Sequence, residues 1–438
     1  MNRKIPAILS FLFVYVSVFS QTSWLSKRNK IVIPFELTHN LIIIETEVND
    51  VKLNMLLDTG SDKNLLFSFP ENDSILFYDT RKIKINGLGN GESLEAIISR
   101  ENKLKVKDYL DEDFEVLLIT DRDISLVNKL GVPINGIIGS SFFKDYLVEI
   151  NYQSKKVILH KEHKKSITKK LRRYKSKKVE VIDGKPYLKM ITDINNTKKM
   201  DIKLLMDTGL GDGLWLFEND SIKCGTLFFN DLLGKGLGGD IEGKKSRVKK
   251  LELNELILKE ALVSYPDTIS FNQLDFVKGR NGSLGGEIIK RFNWILDYKN
   301  ETFYFKKNTN FNDSFNYNMS GIEVQHAGST WVSEKLNFST FTNTNSKTFV
   351  YDKEHDFNYK FSLQPVFEIY SVRENSPAQL AGLKKGDMIL SINGRKAYNY
   401  TIQKITNLFQ SEEGKIIKML IERDDTVIEV KFELEKLL

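Results

Sequence analysis

Met55-Leu56-Leu57-Asp58-Thr59-Gly60-Ser61 and Leu204-Leu205-Met206-Asp207-Thr208-Gly209-Leu210 decide how this chain is read. In each, an apolar, strand-like run ends on Asp-Thr-Gly. Such a turn presents a carboxylate, and its glycine tolerates backbone angles that bulkier residues resist. One triplet carries little weight, because a given tripeptide arises by chance in roughly one chain in twenty of this length. The spacing carries more. Gly87-Leu88-Gly89 begins 29 residues after Asp58, and Gly236-Leu237-Gly238 begins 29 after Asp207. Asn135-Gly136-Ile137-Ile138-Gly139 is answered by Asn281-Gly282-Ser283-Leu284-Gly285, so the three offsets are 149, 149 and 146 residues. The chain holds an internal duplication, and each copy contributes one aspartate.

Working outward, Leu41 to Val48 is β-branched and partly alternating, Asn49-Asp50 reads as a hairpin turn, and Val51 to Leu57 returns toward Asp58. Further short apolar runs follow at 65–67, 83–85 and 114–119, then a short helix-like piece around Phe142 to Tyr146 and a hairpin at 147–159. The second copy repeats the pattern and ends with runs at 294–298 and 302–305. No long helical period appears in either copy, so the class is mainly β. Gly234 to Gly239 formally fits G-x-G-x-x-G, and Gly238 to Lys244 nearly fits a phosphate loop. A phosphate loop needs a buried strand before it and a helix after it. Phe229 to Leu233 reads as poor strand and 244–253 as strand or loop, so both matches read as decoys.

The 438 residues allow about three domains of ordinary size. Residues 1–20 stand apart, with Arg3 and Lys4 ahead of an apolar Ile5 to Phe19 and a small-residue site at Ser20. They read as a cleaved signal peptide, which implies a secreted or periplasmic protein with no stable membrane span after cleavage. Cys224 is the only cysteine, so neither an intrachain disulfide nor a thiolate cluster exists. The five histidines lack ligand spacing, and no metal or other cofactor is expected. Residues 161–178 hold ten Lys or Arg against one acid, Glu162. An anionic membrane or nucleic acid would suit such a run; a solvated connector between the copies is the plainer reading, and no nucleic-acid partner is expected.

The paired Asp-Thr-Gly turns, the glycine-rich hairpins and the apolar-apolar-Gly steps resemble the retropepsin-like aspartic proteases. Two copies in one chain resemble the bilobal, pepsin-like arrangement. The resemblance covers about residues 30–308 and implies two duplicated β-lobes, 24–165 and 166–308, working as a monomer. It implies that Asp58 and Asp207 are catalytic, that Thr59, Gly60, Ser61, Thr208 and Gly209 support the turns, and that Gly87, Leu88, Gly89, Gly236, Leu237 and Gly238 belong to flaps. The implied activity is that of an aspartic endopeptidase acting on protein or peptide substrates. Leu210 and Ser283 depart from the family pattern. A bilobal peptide-binding protein without catalysis, or a PDZ scaffold, is the alternative. Ser61 can donate to the Asp58 carboxylate whereas Leu210 cannot serve Asp207, so Asp207 is expected to hold the shared proton.

The last part, 315–438, is organised by Gly382, Gly386 and Gly394. Ser376-Pro377-Ala378 opens a short helix, Gly382 ends it, and Gly386-Asp387 turns into the strand-like Met388 to Ile392. This block closely resembles a PDZ domain, an α+β unit that recruits peptides, including C-terminal ones. Its candidate groove walls are Ile322 and Val324 on a first strand and Ile402 and Ile405 on a helix. The polar stretch near 334–360 reads as an insertion.

Overall fold

The computed structural model describes residues 22–69, 74–85, 94–119, 131–161, 165–193, 199–272, 276–336 and 358–438. Among them the chain is mainly β, arranged as several sheets with short helices between them. The proposed signal peptide at 1–20, the Gly87-Leu88-Gly89 loop and 337–357 of the proposed insertion lie outside the described residues.

In the first sheet Val51–Leu57 runs parallel to Gly136–Ile138, pairing Leu57 with Ile138. Gly136–Ile138 is antiparallel to Leu65–Leu66, which in turn runs parallel to Tyr109–Ile119. A second sheet repeats these pairings. Met200–Met206 runs parallel to Arg280–Leu284, that strand is antiparallel to Leu214–Leu216, and Leu214–Leu216 runs parallel to Leu256–Pro266. The loops repeat as well. Asn135 Oδ1 accepts from Asn54 N at 2.9 Å, and Asn281 Oδ1 accepts from Lys203 N at 2.8 Å. Phe67 N donates to Asn135 O at 3.0 Å, and Phe217 N to Asn281 O at 2.9 Å. The backbone is thus built twice to one plan. The expected Asn49-Asp50 turn is present, with φ of 46° and 67°, a left-handed pair that asparagine and aspartate tolerate.

A third sheet is shared by both copies. Its six strands run in the order Lys175–Lys178, Thr302–Lys307, Phe292–Asp297, Leu147–Asn151, Lys156–His160, Lys30–Pro34. The middle pair comes one strand from each copy, with Glu149 opposite Ile295. Buried Val148, Ile150, Trp294 and Leu296 tie this sheet into the main core. At ~1.5–3 kcal/mol for each large apolar side chain buried, such a layer resists any sliding of one copy past the other. The basic run is not a loose connector. It supplies the helix Lys165–Leu171 and the edge strand Lys175–Lys178, Ile167 is buried against Leu147 and Ile295, and Lys170 pairs with the buried Glu149.

A fourth sheet holds the C-terminal part: Ile322–Leu336, Asn358–Val372, Met388–Ile392, Ile416–Arg423 and Thr426–Glu433 in that order. Its first strand is much longer than Ile322 to Val324, and strand continues into both ends of the stretch read as an insertion. Arg291, fully buried, fixes the approach to this part. It donates to the carbonyls of Asp313 and Ser314, pairs with Glu287, and stacks on Phe315 at 3.6 Å.

Candidate active site

Asp58 and Asp207 each follow the last residue of a strand, where the parallel partner strand captures the backbone: Asp58 N donates to Ile138 O and Asp207 N to Leu284 O, both at 2.9 Å. The two turns then lock into each other. Thr59 N donates to Thr208 Oγ1 at 3.0 Å and Thr208 N to Thr59 Oγ1 at 3.1 Å. Thr59 Oγ1 donates onward to Met206 O at 2.6 Å, and Thr208 Oγ1 to Leu57 O at 2.8 Å. Both threonines are buried, so each of these groups has exchanged water for a partner on the other copy.

The lock brings the two carboxyl groups within hydrogen-bonding reach of each other. Gly60 N donates to Asp58 Oδ1 at 2.7 Å and Gly209 N to Asp207 Oδ1 at 3.0 Å, so each glycine steadies its own carboxylate. Neither glycine has a positive φ, which corrects the conformational reason for their presence. Closeness is the reason. A methyl on Gly60 would lie 2.6 Å from Asp207 Cγ, and one on Gly209 would lie 2.4 Å from Asp58 Cγ.

Burial raises the pKa of both carboxyls, and the pair is asymmetric. The charge of Asp207 pushes Asp58 well above the usual carboxylate range. Asp207 is raised less, because the positive charge of Arg280 and the backbone N–H groups of Gly209 and Leu210 favour its ionised form. The Arg280 charge thus favours ionisation of Asp207, the opposite direction to the one expected from Ser61 and Leu210. The expectation rested on Ser61, whose hydroxyl is turned away and donates to Lys63 O at 2.7 Å.

Gly236, Leu237 and Gly238 lie at the tip of a hairpin, where Gly236 pairs with Gly239. Its strands are Phe229–Gly236 and Gly239–Leu253, so 229–233 is strand after all and no helix follows the glycines. The phosphate-loop matches are decoys for that reason. Leu237 crosses to the first copy and packs on the apolar cluster that holds Leu41, Leu56, Phe67 and Ile137. A cavity of about 1000 Å³ lies elsewhere, among Arg28, Lys30, Lys105, His160 and Lys170, and neither aspartate lines it.

Ser283, flagged as a departure, belongs to a polar group that the sequence reading missed. Arg280 Nη2 donates to Ser283 Oγ at 2.7 Å and Nε to Gly282 O at 3.1 Å. The guanidinium stacks on Phe276 at 4.5 Å and on Phe217 at 5.3 Å. Nearby, Trp215 Nε1 and Ser264 Oγ both donate to Asp212 Oδ2, at 3.1 and 2.5 Å. A signal was available. At the offset of 146 that relates Asn135 to Asn281, Arg280 answers Ile134 and Ser283 answers Ile137. Among the described residues no group of His, Cys, Asp and Glu is placed to hold a metal.

In the C-terminal part, Gly382, Gly386 and Gly394 have φ of 92°, 89° and 76°, angles that a side chain would strain. Ser376 caps the helix Pro377–Leu380, accepting from Gln379 N, with Pro377 in the first turn. Asp387, buried at the following turn, takes both arms of Arg423 at 2.6 Å. Ile322, Val324, Ile402 and Ile405 are all buried, and Ile402 lies against Gly131 of the first copy. The strand Ile322–Leu336 pairs on one side only among the described residues. This part also grips the Phe229–Leu253 hairpin: Tyr370 Oη donates to both Asp240 oxygens at 2.6 and 2.5 Å, and Arg373 reaches Asp231 at 3.5 Å.

Comparison with known proteins identifies a PDZ domain at residues 368–423. Such a domain points to peptide or protein binding by this part of the chain. Among curated proteins none matches the chain significantly.

Proposed function

We propose that the chain is an aspartic endopeptidase whose two β-lobes, 24–165 and 166–308, each supply one aspartate of a single-chain dyad, and whose 315–438 part recruits substrate. The observation that carries this reading is the reciprocal lock of the two Asp-Thr-Gly turns, which holds Asp58 and Asp207 within reach of each other. Two carboxylates ~3 Å apart repel by ~5 kcal/mol at an effective dielectric near 20, equivalent to about four pKa units, so one keeps its proton. That splitting is general for such dyads. Asp207, ionised beside Arg280, would take a proton from a water held between the carboxyls while the water oxygen attacks the peptide carbonyl carbon. Asp58 would give its proton to the carbonyl oxygen. Collapse of the tetrahedral adduct breaks the C–N bond, with a proton passing to the leaving amine. Neither a metal nor a nucleophilic side chain is needed.

The Phe229–Leu253 hairpin would act as the flap over this chemistry, together with Gly87, Leu88 and Gly89 of the first lobe, which lie outside the described residues. Residues 1–20 would direct the chain to a secreted or periplasmic location, where it acts as a monomer. Digestion of casein and of a mixed peptide pool by the purified protein tests the reading. Cleavage that Asp58→Asn and Asp207→Asn each abolish is the expected result. Peptide binding without cleavage would favour the second reading, a binding protein or scaffold, which the PDZ match alone also supports.

A further inference from the structure

We propose that Arg280, with Ser283, makes the Asp207 side of the cleft a subsite for an acidic side chain, so that the peptides preferred there carry Asp or Glu beside the bond presented to the aspartates. The inference rests on the peptidase reading and names the class of substrate for the same site. Arg280 opens the strand that runs parallel to the one ending in Asp207, opposite Lys203, and at the 146-residue offset it answers buried Ile134. A cation so placed is costly unless a carboxylate answers it. Among the described residues Arg280 has no ion-pair partner; burial lowers its pKa, and the groups that favour its charge are the Tyr187 phenol and then Asp207. Its hydrogen bonds go to a carbonyl and a hydroxyl, neither of which carries charge.

The geometry suits a ligand carboxylate better than a purely internal role. Phe276 and Phe217 stack on the guanidinium and hold it, while Nη1 has no partner among the described residues. A guanidinium so stacked keeps its edge for a carboxylate, the fork-to-fork pairing at which arginine excels. Ser283, hydroxylated where the first copy has Ile137, accepts from Arg280 and keeps its own hydrogen to donate to the same carboxylate. Where the Asp58 side offers only aliphatic surface, the Asp207 side offers charge-assisted hydrogen bonds.

The test uses the full chain and matched peptides that differ only by Glu or Gln at each position around one scissile bond. Wild type should prefer Glu at one position by about ten- to a hundredfold in kcat/KM, the worth of one hydrogen bond to a charged group. In Arg280→Gln, assayed at a pH above its shifted acid limb, any loss of Asp207 ionisation falls equally on both peptides, and the Glu preference should drop below about twofold, mostly through KM. A preference that survives the substitution, as under equal loss on both peptides, overturns the proposal. Should Arg280→Gln fail to fold, Arg280→Lys carries the test: it keeps the charge without the fork, so the preference drops, and an unchanged preference overturns the idea. If wild type cuts nothing, fluorescence anisotropy with the same labelled peptides decides. Tighter, Arg280-dependent binding of the Glu peptide upholds the subsite while the peptidase reading fails; equal binding sinks it.

Discussion

The two copies around the paired aspartates share strand pairings and loop hydrogen bonds and differ in the side chains those strands carry. Beside Asp58, the strands bury Leu56, Leu65, Ile134 and Ile137 in one aliphatic cluster. Beside Asp207, the matching strands carry Trp215, Arg280 and Ser283, with Asp212 hydrogen-bonded behind them. The matched hydrogen bonds of Asn135 and Asn281 agree between copies to within about 0.1 Å. Symmetry therefore resides in the backbone, which fixes where the carboxyls are. Asymmetry resides in side chains, Arg280 above all, whose charge favours the ionised form of Asp207. Either copy can drift in its lining without disturbing the pair, because no lining residue takes part in the threonine lock.

The largest expected effect ignores the asymmetry. Asp58→Asn and Asp207→Asn should each lower peptide hydrolysis by about 10²–10⁴-fold or more, the range for losing an acid or base in the reaction. A chain ending near Lys170 should be inert. Activity retained by one aspartate variant, or by the half chain, would break the claim that the copies act as one unit.

The threonines probe the symmetric part. Thr59→Val leaves Met206 O and Thr208 N without partners, and Thr208→Val leaves Leu57 O and Thr59 N without theirs. Each should cost about 1–3 kcal/mol in urea unfolding for every buried group left unpaired. The double variant should cost less than the sum, since the two share one network. Unequal single effects would show that one turn depends on the lock more than the other.

The sequence made the symmetric part legible and most of the asymmetric part illegible, for a physical reason. Asp-Thr-Gly, the glycine hairpins and Asn-Gly recur because backbone geometry and close approach restrict what can stand there, as the 2.4 Å contact of Gly209 with Asp58 illustrates. Ser376-Pro377 and Gly382 were readable on the same grounds. Arg280 was readable only through the 146-residue offset that sets it against Ile134; taken alone, an arginine before Asn281 looks like any surface cation until strand pairing sets it on the strand beside that of Asp207. Ser61 misled because its reach to Asp58 was geometrically allowed, and only the structure places its hydroxyl on Lys63 O. Likewise, no local pattern could show that Tyr370 would meet Asp240, 130 residues away.

The pair's electrostatics give the next effect. Asp58 has a folded pKa raised above its unfolded value, so its contribution to stability is fully present below the unfolded pKa. That contribution is lost as pH rises through the folded pKa, where a proton must leave a buried, already anionic pair. Asp58→Asn removes this cost. The variant should melt a few degrees higher than wild type at neutral pH, and the gain should shrink as pH falls toward the ordinary carboxylate range. A gain that is the same at every pH would come from packing. For Arg280→Gln the sign is opposite in activity: Asp207 loses the charge that keeps it ionised, so the acid limb of the pH–rate profile should move to higher pH.

The smallest effect concerns the Phe229–Leu253 hairpin, one of the places where the C-terminal part meets the second copy. Tyr370 lies on the strand Asn358–Val372, and Asp240 sits one residue past the hairpin's Gly236–Gly239 turn, the element proposed as a flap. Burial and the Asp240 carboxylate both keep the Tyr370 phenol protonated, so it remains a donor through the working pH range. The pair is partly solvated, and one hydrogen bond to a charged acceptor in that setting contributes about 1 kcal/mol after screening. Tyr370→Phe should loosen the closed flap by about fivefold and lower kcat/KM on a short peptide by up to that factor, without changing the preference set by Arg280. A short peptide is the informative substrate because it is too small to engage the C-terminal part and the cleft together. If Tyr370→Phe leaves short-peptide cleavage untouched and weakens only protein substrates, the C-terminal part recruits and does no more. A loss on both would mean that it also holds the lid of the half that differs.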